Sequence, residues 1–106
     1  MSIEQTLFQE IEESKKWLNI EKDESTYKRD LKRRVELINW VLENMNDPNI
    51  QICNLIKSRM HNIILAINQT NTIFEADKLH SELRILDWIF FQVCSNEIKK
   101  FERLYY

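Results

Sequence analysis

The chain has 106 residues, of which 43% are hydrophobic and 30% charged, with a formal net charge of −2. That supplies apolar material for one core in a single domain spanning 1–106, and gives no overall field to draw the chain to nucleic acid or an anionic membrane. Glycine is absent, which excludes the phosphate-cradling loops of P-loop and dinucleotide-binding folds and argues against a β-rich fold built on tight turns.

The first stretch, MSIEQTLFQEIEESKK, is acidic and amphipathic, unlike a signal peptide. Ser2 is placed to cap a first helix, with Gln5 completing a capping box. This helix is expected to run to about Asn19 and to bury Ile3, Leu7, Ile11 and Leu18, with Trp17 at the edge. The polar EKDES interrupts the pattern, and Asp23 or Ser25 caps a second helix that reaches about Asn46. Its Leu31, Val35, Ile38, Leu42 and Met45 are spaced four, three, four and three apart, a heptad seam.

Asp47-Pro48 predicts the start of a third helix, with Asp as the cap and Pro at the first helical position, where its missing N–H costs nothing. Cys53, Ile56, Met60, Ile63 and Ile67 form its stripe. NQTNT is a polar loop, after which Thr72 and Glu75 form a second capping box. The fourth helix carries Leu79, Leu83, Leu86, Phe90 and Val93. Two continuations are open: the helix extends to the C-terminus, or it breaks near CSN and restarts as a short fifth helix through Phe101. Helices of this length joined by short loops pack as antiparallel neighbours. The expected fold is all-α, an antiparallel four-helix bundle made of two helical hairpins. The two halves have the form of a repeated hairpin offset by 48 positions. Only Leu31/Leu79 and Trp40/Trp88 are identical across the stretches 31–45 and 79–93, and a shared heptad explains that as well as duplication does.

The densest apolar run, ILDWIFF, is too short to span a bilayer, so no membrane is expected. Cys53 and Cys94 fit no zinc spacing. They read as buried thiols of a reducing, cytoplasmic compartment, with a disulfide between them as the other reading. Ala and Gly are scarce while Ile, Asn and Lys are plentiful. Their codons point to an AT-rich genome, such as a low-GC bacterium, its phage or a mobile element.

Trp40 and Trp88 each stand nine residues after the leading leucine of their helix. At about 100° per residue, that places them opposite the heptad stripe. On the second helix the back face carries Arg29, Arg33, Glu36, Leu37, Trp40 and Asn44. An apolar pair with a charged rim has the anatomy of a binding patch, and Trp and Arg are the types most enriched at interface hot spots. Arg29, Arg33, Leu37 and Trp40 are therefore the expected partner-binding residues, and Trp40→Ala is expected to weaken binding without unfolding the domain. The back of the fourth helix has Ile85, Trp88 and Phe91. A helix apolar nearly all round is buried on more than one side. Either it sits centrally in its own bundle, or these three residues meet another chain, with a homodimer the favoured form.

No constellation predicts catalysis or a bound cofactor or metal. EIEE matches the first half of the magnesium motif of all-helical nucleotide pyrophosphohydrolases, but no E-x-x-D follows it. His61 and His80 are the only histidines, and neither has a ligand at a recognised metal spacing. Arg59 precedes His61 too closely for the R-x4-6-H motif of helical ribonucleases. The basic run YKRDLKRR is the one nucleic-acid candidate, opposed by EKDE upstream and Asp30 within it. In size and composition, with no shared motif, the chain is similar to bacteriocin immunity proteins, antitoxins and phage-encoded inhibitors. That likeness implies a non-catalytic protein that occupies a surface on a partner protein. A nucleic-acid-binding regulator using the basic half of the second helix is the alternative.

Overall fold

A computed structural model of the chain describes residues 2–21 and 24–95. It contains four α-helices: α1 (Ile3–Ile20), α2 (Thr26–Met45), α3 (Ile52–Gln69) and α4 (Ile73–Val93). The expected all-α bundle of two hairpins is what forms. The short fifth helix and the tail residues through Phe101 fall outside the described residues.

Local chemistry sets most helix starts. Ser2 accepts a hydrogen bond from the Gln5 N–H, and the Gln5 side chain accepts from the Ser2 N–H, both at 3.1 Å. Ser25 caps α2 by accepting from the Lys28 N–H at 3.1 Å, and Thr72 caps α4 by accepting from the Glu75 N–H at 3.2 Å. Each bond satisfies a first-turn N–H that has no partner inside the helix. The start of α3 differs from the expectation. Asp47-Pro48 does not open it. The Asp47 carboxylate accepts from the Asn49 N–H at 2.9 Å, and its carbonyl accepts from the Ile50 N–H at 3.2 Å. The aspartate thus closes a turn of its own, and α3 begins at Ile52 behind Gln51, which makes no side-chain cap bond.

Cross-helix contacts give the topology. Arg29 and Asp77, in the first halves of α2 and α4, are joined, so these two helices run parallel. Cys53 near the start of α3 meets Cys94 at the C-cap of α4, so α3 and α4 are antiparallel. The inner pair α2 and α4 pack on each other. α1 packs on α2 and more lightly on α4, while α3 packs on α4 and more lightly on α2. α1 and α3 sit on opposite sides, without mutual contact among the described residues.

This flattened arrangement decides which residues are core. An inner helix has three neighbours, so its buried arc is wider than one heptad stripe. On α2, Leu31 and Ile38 of the stripe are buried, but so are Leu37 and Val41. Leu37 lies about 120° round from Leu31, toward α4. On α4, Leu86 is joined in the interior by Ile85 and Ile89, while Leu79, Leu83, Phe90 and Val93 are only half-buried. On α1, Leu7, Ile11 and Ser14 are buried, and Ile3 is largely exposed. Leu37/Ile85, Ile38/Leu86 and Val41/Ile89 occupy matching places 48 positions apart, and α1 and α3 have the same length. The hairpins are thus related by a pseudo-two-fold in packing, although few identities show it in the sequence.

Cys53 and Cys94 are joined in a disulfide, with Cα atoms 6.0 Å apart. The reading of both as free thiols is corrected, and with it goes the argument from cysteine usage for a reducing cytoplasm. The two sulfurs meet because α3 and α4 are antiparallel and of nearly equal length, which brings the start of one to the end of the other. Among the described residues, no helix is long and apolar enough to cross a membrane.

Candidate interaction site on the inner helices

The strip Arg29, Arg33, Trp40 on α2 faces a seam shared with α4 and α3. Arg29 donates to Asp77 at 3.2 Å and to Asp30 at 3.0 Å, with Phe74 against its guanidinium, 6.0 Å from the ring centroid. Asp30 also accepts from the Ser81 hydroxyl at 3.3 Å, and Ser81 accepts from Arg84 at 3.1 Å. Ser81 is buried, and this network satisfies it. One turn further along, Arg33 donates from Nε to Glu82 and from Nη1 to Glu36, both at 2.7 Å. Glu82 is 8% exposed, and a carboxylate so buried needs a cation beside it. Burial works against the Arg33 charge, and the bonds from Glu82 and Glu36 more than offset it, so its pKa lies above the ordinary arginine value. The seam opens as a cleft of about 370 Å³ whose wall includes Arg29, Arg33, Lys32, Lys78 and Glu36.

Beyond this cleft Trp40 is half-buried against the core, and Arg59 of α3 lies over its ring, 4.4 Å from the centroid. Among the described residues Arg59 has no ion pair with a carboxylate. Burial, and then repulsion from Arg33, push its pKa below the ordinary value, with Glu82 opposing.

The structure therefore brings Arg29, Arg33 and Trp40 onto one seam, and it removes Leu37. At 1% exposure Leu37 is a core residue, because α2 is an inner helix whose back is covered by its neighbours. Trp40 is also more enclosed than a surface anchor, so Trp40→Ala removes packing as well as any contact. Arg59 belongs to the seam although no sequence pattern marks it. It lies outside the α3 stripe, and only the approach of α3 to the back of α2 puts it on Trp40.

The second expected site fares differently. Ile85 is 4% exposed and belongs to the core. Trp88 is half-buried, with Arg34 5.8 Å from its ring centroid. Phe91 alone of the three is well exposed, at 59%. The apolar circumference of α4 is largely met inside the chain, because α4 is the other inner helix. This is the central-helix alternative for Ile85, and it leaves Phe91 and part of Trp88 as the surface that a second copy could meet.

The basic run is also answered internally. Lys28 and Lys32 pair with Glu24, Arg29 with Asp30 and Asp77, Arg33 with Glu36 and Glu82, and Arg34 with Glu10. Only the last of these reaches the acidic face of α1. No group of His, Cys, Asp and Glu among the described residues is arranged to hold a metal ion. In comparisons with protein families, curated proteins and solved structures, the chain matches none.

Proposed function

We propose that the protein is a non-catalytic protein-binding module, an inhibitor-, immunity- or adaptor-like chain that acts by occupying a surface on a partner. The observation that carries this reading is the Arg59–Trp40 stack at the end of the charged seam. A partly exposed Trp beneath an Arg, with Arg33 and Glu36 beside it, has the composition of an interface hot spot: an aromatic anchor with a charged rim. The charged groups around it are already held by ion pairs, so the surface is pre-organised and costs less side-chain entropy to bind.

The nucleic-acid alternative is less well supported. A phosphate backbone binds through uncompensated positive charge, and each of the five cations of the basic run is paired with a carboxylate.

The reading is tested by capture on the full chain from its native cells, comparing wild type with Arg59→Gln and with Ile73→Lys. Ile73 is 90% exposed and remote from the stack along α4. A partner retained by Ile73→Lys and lost with Arg59→Gln is the expected outcome. Capture untouched by Arg59→Gln refutes this placement of the site.

A further inference from the structure

The pseudo-two-fold relates two tryptophan sites that are built from the same parts and closed differently. At Trp88 the set is complete. Arg34 of α2 lies over the ring, and Glu10 of α1 accepts from Arg34 at 2.6 Å. At Trp40 the corresponding residues of the other hairpin are Glu82, 48 positions after Arg34, and Arg59, 49 positions after Glu10. The charges are exchanged between inner and outer helix. Here the arginine again lies over the ring, at 4.4 Å. The carboxylate does not join it: Glu82 is bonded to Arg33 at 2.7 Å and acts on Arg59 only through its charge. Among the described residues, one site thus joins a ring, a guanidinium and a carboxylate directly, and the other joins a ring and a guanidinium without a carboxylate in an ion pair.

We propose that the Arg59–Trp40 stack is a receptor for a carboxylate side chain on the partner protein, which completes at Trp40 the triad that Glu10 completes at Trp88. The inference rests on the protein-binding reading above and names the partner's chemistry. A guanidinium lying on an aromatic ring uses its face there and keeps N–H groups at its edge for a planar anion. Arg59 is also partly desolvated and repelled by Arg33, with Glu82 offsetting only part of this, so an arriving carboxylate supplies the ion pair that Arg59 lacks among the described residues. A protein carboxylate suits the place better than a phosphate backbone, which binds through several uncompensated cations in a row, because the cations of the basic run on α2 are already paired.

The test follows the side-chain N–H resonances of Arg59, Arg34 and Trp40 in the isotope-labelled full chain. The probes are an N-acetylated hexaglutamate amide, the matching hexaglutamine peptide and an oligothymidylate. Hexaglutamate should shift Arg59 and Trp40 saturably and leave Arg34, already paired with Glu10, in place. Hexaglutamine should do neither. Arg59→Gln should abolish the Trp40 shift. Arg59→Lys, which keeps the charge without the planar fork, should weaken it about tenfold. Equal responses at Arg34 and Arg59, an equal effect of hexaglutamine, or no response to any probe overturns the proposal. Tighter binding of oligothymidylate than of hexaglutamate also overturns it and assigns the stack to nucleic acid. Should Arg59→Gln fail to fold, the wild-type comparison of Arg59 with Arg34 still decides. If hexaglutamate fails while Arg59→Gln still abolishes partner capture, the carboxylate inference falls and the protein-binding reading stands. If capture survives Arg59→Gln, the site itself is wrong.

Discussion

Reducing the Cys53–Cys94 disulfide should lower the melting temperature substantially while leaving the bundle folded at room temperature. The two cysteines are 41 positions apart, and the crosslink holds that length of chain as a closed loop in the unfolded state. The chain-entropy relation for a loop of this size gives about 4 kcal/mol at 25 °C. The native state loses little on reduction, because Cys94 is 2% exposed and a thiol there still packs as a small hydrophobe. A chain of this length unfolds with an entropy near 2.1 cal/mol/K per residue, so each kcal/mol moves the midpoint by about 4–5 °C. The full entropic effect therefore corresponds to a fall of roughly 15–20 °C, and a denatured state that retains structure gives less. The assay is a thermal melt by circular dichroism with and without a phosphine reductant, with free thiols counted to verify reduction, and with Cys53→Ser as the non-reducible control. A midpoint unchanged in fully reduced protein refutes the reasoning.

Three further outcomes separate the tertiary reading from the simpler sequence one. Leu37→Ala should cost about 2–4 kcal/mol in a denaturant melt, as for any buried leucine, whereas Ile73→Lys should change stability by less than about 0.5 kcal/mol; a neutral Leu37→Ala would return that residue to the surface. Glu82→Ala should lose about 1–3 kcal/mol, because it leaves Arg33 without its most buried partner, and a neutral result would mean that Glu36 alone suffices. The Glu24 carboxyl should titrate below its ordinary value of 4.5, held down by the bond and charge of Lys28 and then by Lys32. Being depressed, it adds its small stabilisation above that value and loses it as pH falls through the folded midpoint. Carbon-detected NMR titration of Glu24 reads this directly, and a midpoint at or above 4.5 would remove the Lys28 pair.

Interactions within one helical turn can be read from residue spacing, and those between distant helices cannot. The caps at Ser2, Ser25 and Thr72 act within one turn, so side-chain type and spacing are enough to place them. The apolar period and the lack of glycine fix an all-α bundle, because a helix can bury such a stripe only against other helices. Asp47-Pro48 was the local signal that misled: the same carboxylate that caps a helix also closes a turn, and residue types do not distinguish the two.

Residue type and spacing thus yield four helices and one approximate face for each. Which helices are inner depends on how the four pack together. A heptad pattern describes contact with one neighbour, and α2 and α4 have three. That difference makes Leu37 a core residue, keeps Ile85 inside the chain and sets Arg59 on Trp40, while the antiparallel packing of α3 on α4 brings Cys53 to Cys94. Each of these is a pairing between residues distant in the chain, and no periodicity within a single helix carries it.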